Sequence, residues 1–230
     1  MSLKQEIQLT ADGSSTIYLP EIDEHYHSVK GALTESRHVY ISEGLCHRLK
    51  SAVTLPASQH CRVLEIGFGT GLNAVLTAIK AQELTTPVHY ITLELFPIDT
   101  ATAMQLSYGK ATDTEMFRAI HAAQWTLPAA INPYFTIEKR IADFTHDPLP
   151  DNIDVIYMDA FAPEKQPEMW SNEAISRLAA VMSPGCVLTT YCAKGAIRRL
   201  FQSCGLIVER IPGPPGGKRE ILRAVKPHLA

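Results

Sequence analysis

Val63-Leu64-Glu65-Ile66-Gly67-Phe68-Gly69-Thr70-Gly71-Leu72-Asn73 is the stretch on which the fold turns. A short apolar run delivers the chain into three glycines at alternate positions, and a helical pattern follows to residue 83. A strand that feeds glycines into the start of a helix lets the backbone turn tightly and bring its N–H groups against a ligand. The spacing is G-x-G-x-G, not the G-x-G-x-x-G of dinucleotide-binding proteins, and Glu65 stands two positions before the first glycine.

Outward from this loop, apolar runs alternate with helical patterns from residue 60 onward, which predicts a parallel sheet covered by helices. The expected strands are 62–66, 89–94, 134–138, 154–158, 186–191, 206–210 and 220–225; the expected helices are 71–83, 115–123, 171–181 and 195–204. Pro212-Gly-Pro-Pro-Gly-Gly217 is a forced turn between the last two strands, so the sheet closes on an antiparallel hairpin. Glu94 ends the second strand, Asp143 follows the third and Asp159 follows the fourth. Ligands of open α/β sheets bind at that edge, and an acid after the second strand is where ribose hydroxyls are taken. Any one of these acids alone would read as a cap or a surface charge; together with the glycine loop they read as a site.

Before residue 60, alternating runs at 6–9 and 16–19 flank Asp12-Gly13 and predict a small hairpin. A polar stretch, Glu24-His-Tyr-His-Ser28, leads to an expected helix over 41–51 and a break at Pro56. We therefore divide the chain into a hairpin and site-covering extension (1–55) and a main domain (56–230). The stretch 96–133 is longer than one crossover needs and is expected to carry a helical insertion.

Composition narrows the class. With 230 residues, 46% of them apolar, one buried core is within reach. No apolar run approaches the roughly 20 residues of a membrane helix and no signal-peptide pattern opens the chain, so a cytoplasmic protein is expected. Five cysteines without a C-x-x-C pair suggest neither a disulfide framework nor a zinc knuckle. His25, Tyr26 and His27 lack further ligands at metal spacing, so no metal is expected. The net charge is -3, yet residues 191–230 carry eight basic and two acidic side chains. A basic end on an acidic body suits a polyanionic partner, although a solvated face explains such a cluster equally well.

The glycine variant with its preceding acid resembles the class I S-adenosylmethionine-dependent methyltransferases. Longer passages resemble one family, the enzymes that complete 5-methylaminomethyl-2-thiouridine at the wobble position of bacterial tRNA. They are Glu65–Asn73, Glu94-Leu-Phe-Pro97, Asp159-Ala-Phe-Ala-Pro-Glu-Lys-Gln-Pro-Glu-Met-Trp170, Thr190-Tyr-Cys-Ala-Lys-Gly-Ala-Ile-Arg-Arg199 and Gly217-Lys-Arg-Glu220, with Glu24–Ser28 and Glu35–Val39 near the start. Pro214-Pro-Gly-Gly217 stands where that family more usually has Gly-Phe-Gly, so an aromatic contact is not expected there.

The resemblance implies a Rossmann-like class I methyltransferase: an α/β fold with a seven-stranded, mostly parallel sheet, a terminal antiparallel strand and helices on both faces. It implies methyl transfer from S-adenosyl-L-methionine to the amine of 5-aminomethyl-2-thiouridine, with a separate enzyme supplying that precursor. Glu65, Gly67, Phe68, Gly69, Gly71, Asn73, Glu94, Asp143 and Asp159 would hold the cofactor. Asp159 would also be catalytic, by orienting the attacking amine or by taking its proton. His25, Tyr26 and Phe161 would meet the uridine, Phe161 as a stacking platform or as packing under Pro163. Lys165, Lys194, Arg198, Arg199, Lys218 and Arg219 would meet phosphates of the tRNA anticodon stem-loop. A methyltransferase of small molecules or proteins would share the cofactor site, an oxidoreductase would use a different glycine spacing, and a non-catalytic RNA-binding module would not turn the cofactor over.

Overall fold

The structure, a computed structural model, describes residues 4–51, 60–109 and 114–228. The expected break at Pro56 lies outside the described residues. The hairpin forms as β1 (Glu6–Leu9) and β2 (Ser15–Leu19), and a short β3 (Glu24–His25) adds to β2. Asp12, in its turn, reaches forward to the next helix: its Oδ2 accepts from the Thr34 amide (2.9 Å) and hydroxyl (2.8 Å). That satisfies an N–H that the helix start leaves without an internal partner.

The helix itself begins earlier than expected. It runs through α1 (Ala32–Ser36), a wide-turned π-helical stretch (Arg37–Cys46) and α2 (His47–Lys50). Widened turns of this kind recur at functional sites, and Tyr40 stands in this one. At the far end Arg48 pairs with Asp154 at 3.2 Å, both nearly inaccessible, pinning α2 to the base of the sheet.

The main sheet has strands β4 (Cys61–Ile66), β5 (Val88–Glu94), β6 (Ala129–Asn132), β7 (Phe135–Ile141), β8 (Ile153–Met158), β9 (Met182–Thr190), β10 (Ile207–Pro212) and β11 (Glu220–Val225). Their order is β10-β11-β9-β8-β4-β5-β7-β6. The five from β9 to β7 are parallel, β11 is antiparallel to both neighbours, and β6 is antiparallel to β7. All seven expected strands are present. β6 is an eighth, added at the edge from the low-propensity run Ala-Ala-Ile-Asn.

β4 and β8 are buried almost throughout because helices cover both faces. Val63, Tyr90, Val155 and Tyr157 point to one side, into a cluster with α3 (Leu72–Glu83), α5 (Thr114–Ala122) and the long N-terminal helix. Leu64, Ile66, Ile91, Ile156 and Met158 point to the other, against α6 (Asn172–Val181) and α7 (Gly195–Ser203). The stretch 96–133 carries α4 (Thr100–Ala103), α5 and β6, and its Ser107 exchanges hydrogen bonds with Ser15 of β2. No helix among the described residues is long and apolar enough to cross a membrane.

Candidate active site

Strand order decides which acids become neighbours. Because β4 lies between β8 and β5, with β7 beyond, the carboxyl edge reads Asp159, glycine loop, Glu94, Asp143. Gly67, Gly69 and Gly71 all have left-handed φ, and at each of them the space decides as well, a Cβ on Gly71 meeting the His121 ring at 2.8 Å. A Cβ on Gly67 would stand 3.1 Å from the carbonyl oxygen of Asp159, and one on Gly69 would stand 2.9 Å from the Tyr26 ring. The loop is therefore wedged between the end of β8 and the polar segment that follows the hairpin.

That segment forms a strap across the edge, tied at three points. Lys165 Nζ donates to the carbonyl of Ile22 (2.7 Å), the Tyr26 ring meets Phe161 edge-on at 5.3 Å, and His27 Nε2 bonds Thr70 Oγ1 of the glycine loop at 2.7 Å. Burial holds the His27 imidazole neutral, pushing its pKa down to about 4.

Beneath the strap are two joined spaces. One, of about 720 Å³, runs along the edge past Gly67, Gly69, Glu94, Phe96, Asp143 and Asp159. The other, of about 260 Å³, lies between Glu24, Glu35, Asp159, Phe161, Tyr191 and Lys218. They share Tyr26, His27, Asp159, Ala160 and Phe161 as walls. The larger suits a nucleoside with an amino-acid tail in size. Glu94 stands at its middle, with Oε2 accepting from the Gly69 amide (3.1 Å) and Oε1 from the Phe96 amide (2.9 Å). Asp143, at one end, accepts from the amide and hydroxyl of Thr145, which hold its carboxyl below the usual range.

Asp159 stands where the two spaces meet. Tyr40 donates to Oδ1 at 2.5 Å and Asn73 Nδ2 to Oδ2 at 2.8 Å, so the carboxylate is fixed from behind. Burial, with Glu35 nearby, outweighs these two donors and pushes its pKa up to about 7. A carboxyl poised there both accepts and releases a proton near neutrality.

Of the residues expected from the sequence, Gly67, Phe68, Gly69, Glu94, Asp143, Asp159, Tyr26, Phe161 and Lys165 border the larger space; His25 and Lys218 border the smaller. The Phe68 ring, however, is 4% exposed and packs against His121 and Trp125, so its burial serves the core. Glu65, Gly71 and Asn73 border neither space. Glu65 is inaccessible beneath the loop, bonded to Thr92 (2.8 Å), and burial pushes its carboxyl up to about 8. Gly71 faces His121, and Asn73 backs Asp159.

The His25 ring stacks on Tyr18 at 4.5 Å and bonds Gln8. The Lys218 ammonium sits 3.7 Å from the centre of the Tyr191 ring, and Lys194 pairs with Glu164. Arg199 and Arg219 are exposed, and Arg198 is half-buried. Sequence reasoning missed Glu35, Tyr40 and Tyr191 as site residues, and His27 as the tie to the loop. Among the described residues no group of three or more His, Cys, Asp or Glu is arranged to hold a metal ion.

A family profile described as S-adenosyl-L-methionine-dependent methyltransferase matches residues 136–227. The chain is 30% identical over 241 residues to the tRNA 5-methylaminomethyl-2-thiouridine biosynthesis bifunctional protein MnmC of Pseudoalteromonas atlantica, an alignment covering 96% of this chain and 33% of that protein. The chain spans about a third of the length of the curated relatives it matches. Among solved structures, MNMC2 from Aquifex aeolicus superposes with a TM-score of 0.76 at 21% identity, covering all of this chain and 74% of that one. Spermidine synthase from Thermotoga maritima superposes at 0.58 with 15% identity, covering 97% of this chain and 69% of that one. Both share the fold.

Proposed function

We infer, from a chain homologous over nearly its full length to the methyltransferase part of the MnmC proteins, that it methylates the amine of 5-aminomethyl-2-thiouridine at the tRNA wobble position. S-adenosyl-L-methionine supplies an electrophilic methyl group on a sulfonium. The observation that carries this reading is the junction at Asp159, where a nucleoside-sized cavity opens onto a small chamber lined by carboxylates and aromatic rings.

In this reading Glu94 takes sugar hydroxyls, the Asp143 end receives the adenine, and the Gly67–Gly69 backbone borders the amino-acid tail. Glu65 and Asn73 act from behind: Asn73 through Asp159, Glu65 by supporting the loop. Tyr26 and Phe161 bracket the flipped uracil, since loop bases are read by stacking on aromatic side chains. The amine must be neutral to attack. Asp159, fixed by Tyr40 and Asn73, aligns the nitrogen and takes its proton, and much of the rate comes from that positioning. Lys165, Lys194, Arg198, Lys218 and Arg219 are the phosphate contacts, which makes tRNA the partner and leaves the aminomethyl precursor to another enzyme.

The test is nucleoside mass analysis of tRNA carrying 5-aminomethyl-2-thiouridine, incubated with the protein with and without S-adenosylmethionine. The expected result is a cofactor-dependent gain of one methyl on that nucleoside. Cofactor binding without any gain sends the acceptor elsewhere.

A further inference from the structure

The smaller chamber contains a carboxyl group for which the reading above has no use. Glu35 stands on α1, 9% exposed, yet lines that chamber opposite Asp159. Its Oε2 accepts from the Ser28 amide at 3.1 Å, and its Oε1 is open to the chamber and not sealed in the core. A carboxylate this buried ordinarily has its lone pairs matched, by protein or by a ligand. Glu24 and Asp159 line the same space, and Lys218, held on the Tyr191 ring, is the one lysine or arginine among the lining residues. His25 is turned to Gln8, and His27 is bonded to Thr70. The groups facing the chamber thus set three carboxyl groups against one ammonium, with a Glu35 oxygen open to an occupant.

We propose that Glu35 receives the ammonium of the incoming acceptor and that the chamber selects acceptors by charge, taking a cationic aminomethyl group over a neutral group of the same size. This rests on the amine-acceptor reading above and adds to it a specificity residue. A primary amine reaches the site protonated at neutral pH, a form that binds carboxylates but cannot attack. Glu35 Oε1 takes one N–H of the ammonium as a hydrogen bond, while Asp159 takes another proton outright. The freed nitrogen lone pair forms the new N–C bond as the carbon–sulfur bond breaks, with that bond's electron pair passing to sulfur. The product is a secondary ammonium that still faces Glu35, and the proton on Asp159 leaves to water. Two carboxylates are needed because the one that removes the proton loses its charge in doing so.

The experiment compares binding of two anticodon stem-loops, one with 5-aminomethyl-2-thiouridine and one with 5-hydroxymethyl-2-thiouridine, in the presence of S-adenosylhomocysteine at pH 7. Their ratio cancels the phosphate contacts common to both. The intact protein is expected to favour the aminomethyl form by about tenfold, the worth of one charge-assisted hydrogen bond. Glu35→Gln should bring the ratio close to one while leaving S-adenosylmethionine affinity, read by calorimetry, unchanged; Lys218→Met should raise the ratio while weakening both complexes. An unchanged ratio in Glu35→Gln overturns the proposal. So does an unchanged or lower ratio in Lys218→Met, which decides the matter if the first variant does not fold. Methyl transfer to the aminomethyl stem-loop by the intact protein is scored in parallel: its absence defeats the amine reading itself, whereas transfer with an unchanged ratio defeats only the role of Glu35.

Discussion

Tyr40 donates to Asp159 Oδ1 at 2.5 Å across 119 positions of sequence, so the π-helical stretch holds the central carboxylate in place. That hydroxyl favours the ionised form of Asp159, and its loss moves the carboxyl above its present value of about 7. Tyr40→Phe should therefore shift the acid limb of the kcat profile upward by about one pH unit and slow turnover at pH 7. Asp159→Ala should nearly abolish turnover while cofactor affinity stays within a few-fold. A Tyr40→Phe profile that overlays the parent's would remove this hydrogen bond from the chemistry.

Glu65 is a strain on the folded state that appears only as pH rises. Its folded pKa of about 8 lies above the ordinary 4.5, so between these values the native protein binds the extra proton and stability falls as pH increases. Glu65→Gln should raise the melting temperature at pH 8 relative to pH 5, with the two conditions differing by on the order of a few kcal/mol. Equal effects at both pH values would mean that the carboxyl is already charged at pH 5.

Gly69 makes a sharper case than its conformation alone, because the Tyr26 ring occupies the space a side chain would enter. Gly69→Ala should weaken cofactor binding by about tenfold or more, from the left-handed φ and the displaced strap together. Adding Tyr26→Ala should recover part of that loss. Calorimetric affinities that fall further in the double variant would place the difficulty elsewhere in the loop.

His27 ties the strap to the glycine loop through Thr70, and removing it should loosen the cavity roof. His27→Ala is expected to raise the cofactor Kd several-fold with less effect on kcat. The stability sign is opposite to that of Glu65: a histidine lowered from 6.5 to about 4 contributes stability that is lost as pH falls through that window. The variant's acid unfolding should therefore be shallower between pH 6.5 and 4; an unaltered slope would mean that the ring is charged in the native protein.

If Arg198 and Arg219 each meet a phosphate, Arg198→Ala and Arg219→Ala should weaken tRNA binding and each lower the slope of log affinity against log salt by about one. Filter binding over a salt series reads this directly. A parent slope near zero would favour an acceptor without phosphates.

The fold was largely legible because its signals are local. Strand runs ending at Ile66, Glu94 and Met158 carry their own burial pattern, and alternate glycines announce a turn wherever they stand. β6 was missed because Ala-Ala-Ile-Asn between two prolines has no strand signature of its own; it exists only because β7 offers an edge. At the site, the four acids were visible as strand endings, but sequence position does not say which way a side chain points. Glu65 and Asn73 belong to the same motif as Gly69 and yet face inward. Glu35 and Tyr40 were missed because the expected helix began only at residue 41; the helix that starts at Ala32 carries both, and only its docking brings them to Asp159.

Tyr26 and His27 wall both the long cavity and the small chamber. Occupants of these two spaces are therefore thermodynamically linked rather than independent. Whatever factor one occupant imposes on the other's affinity by settling or displacing the strap is returned in full when the order of arrival is reversed. A sequence change in the strap alone would thus retune the affinities for the occupants of both spaces together, leaving the sheet and its acids untouched.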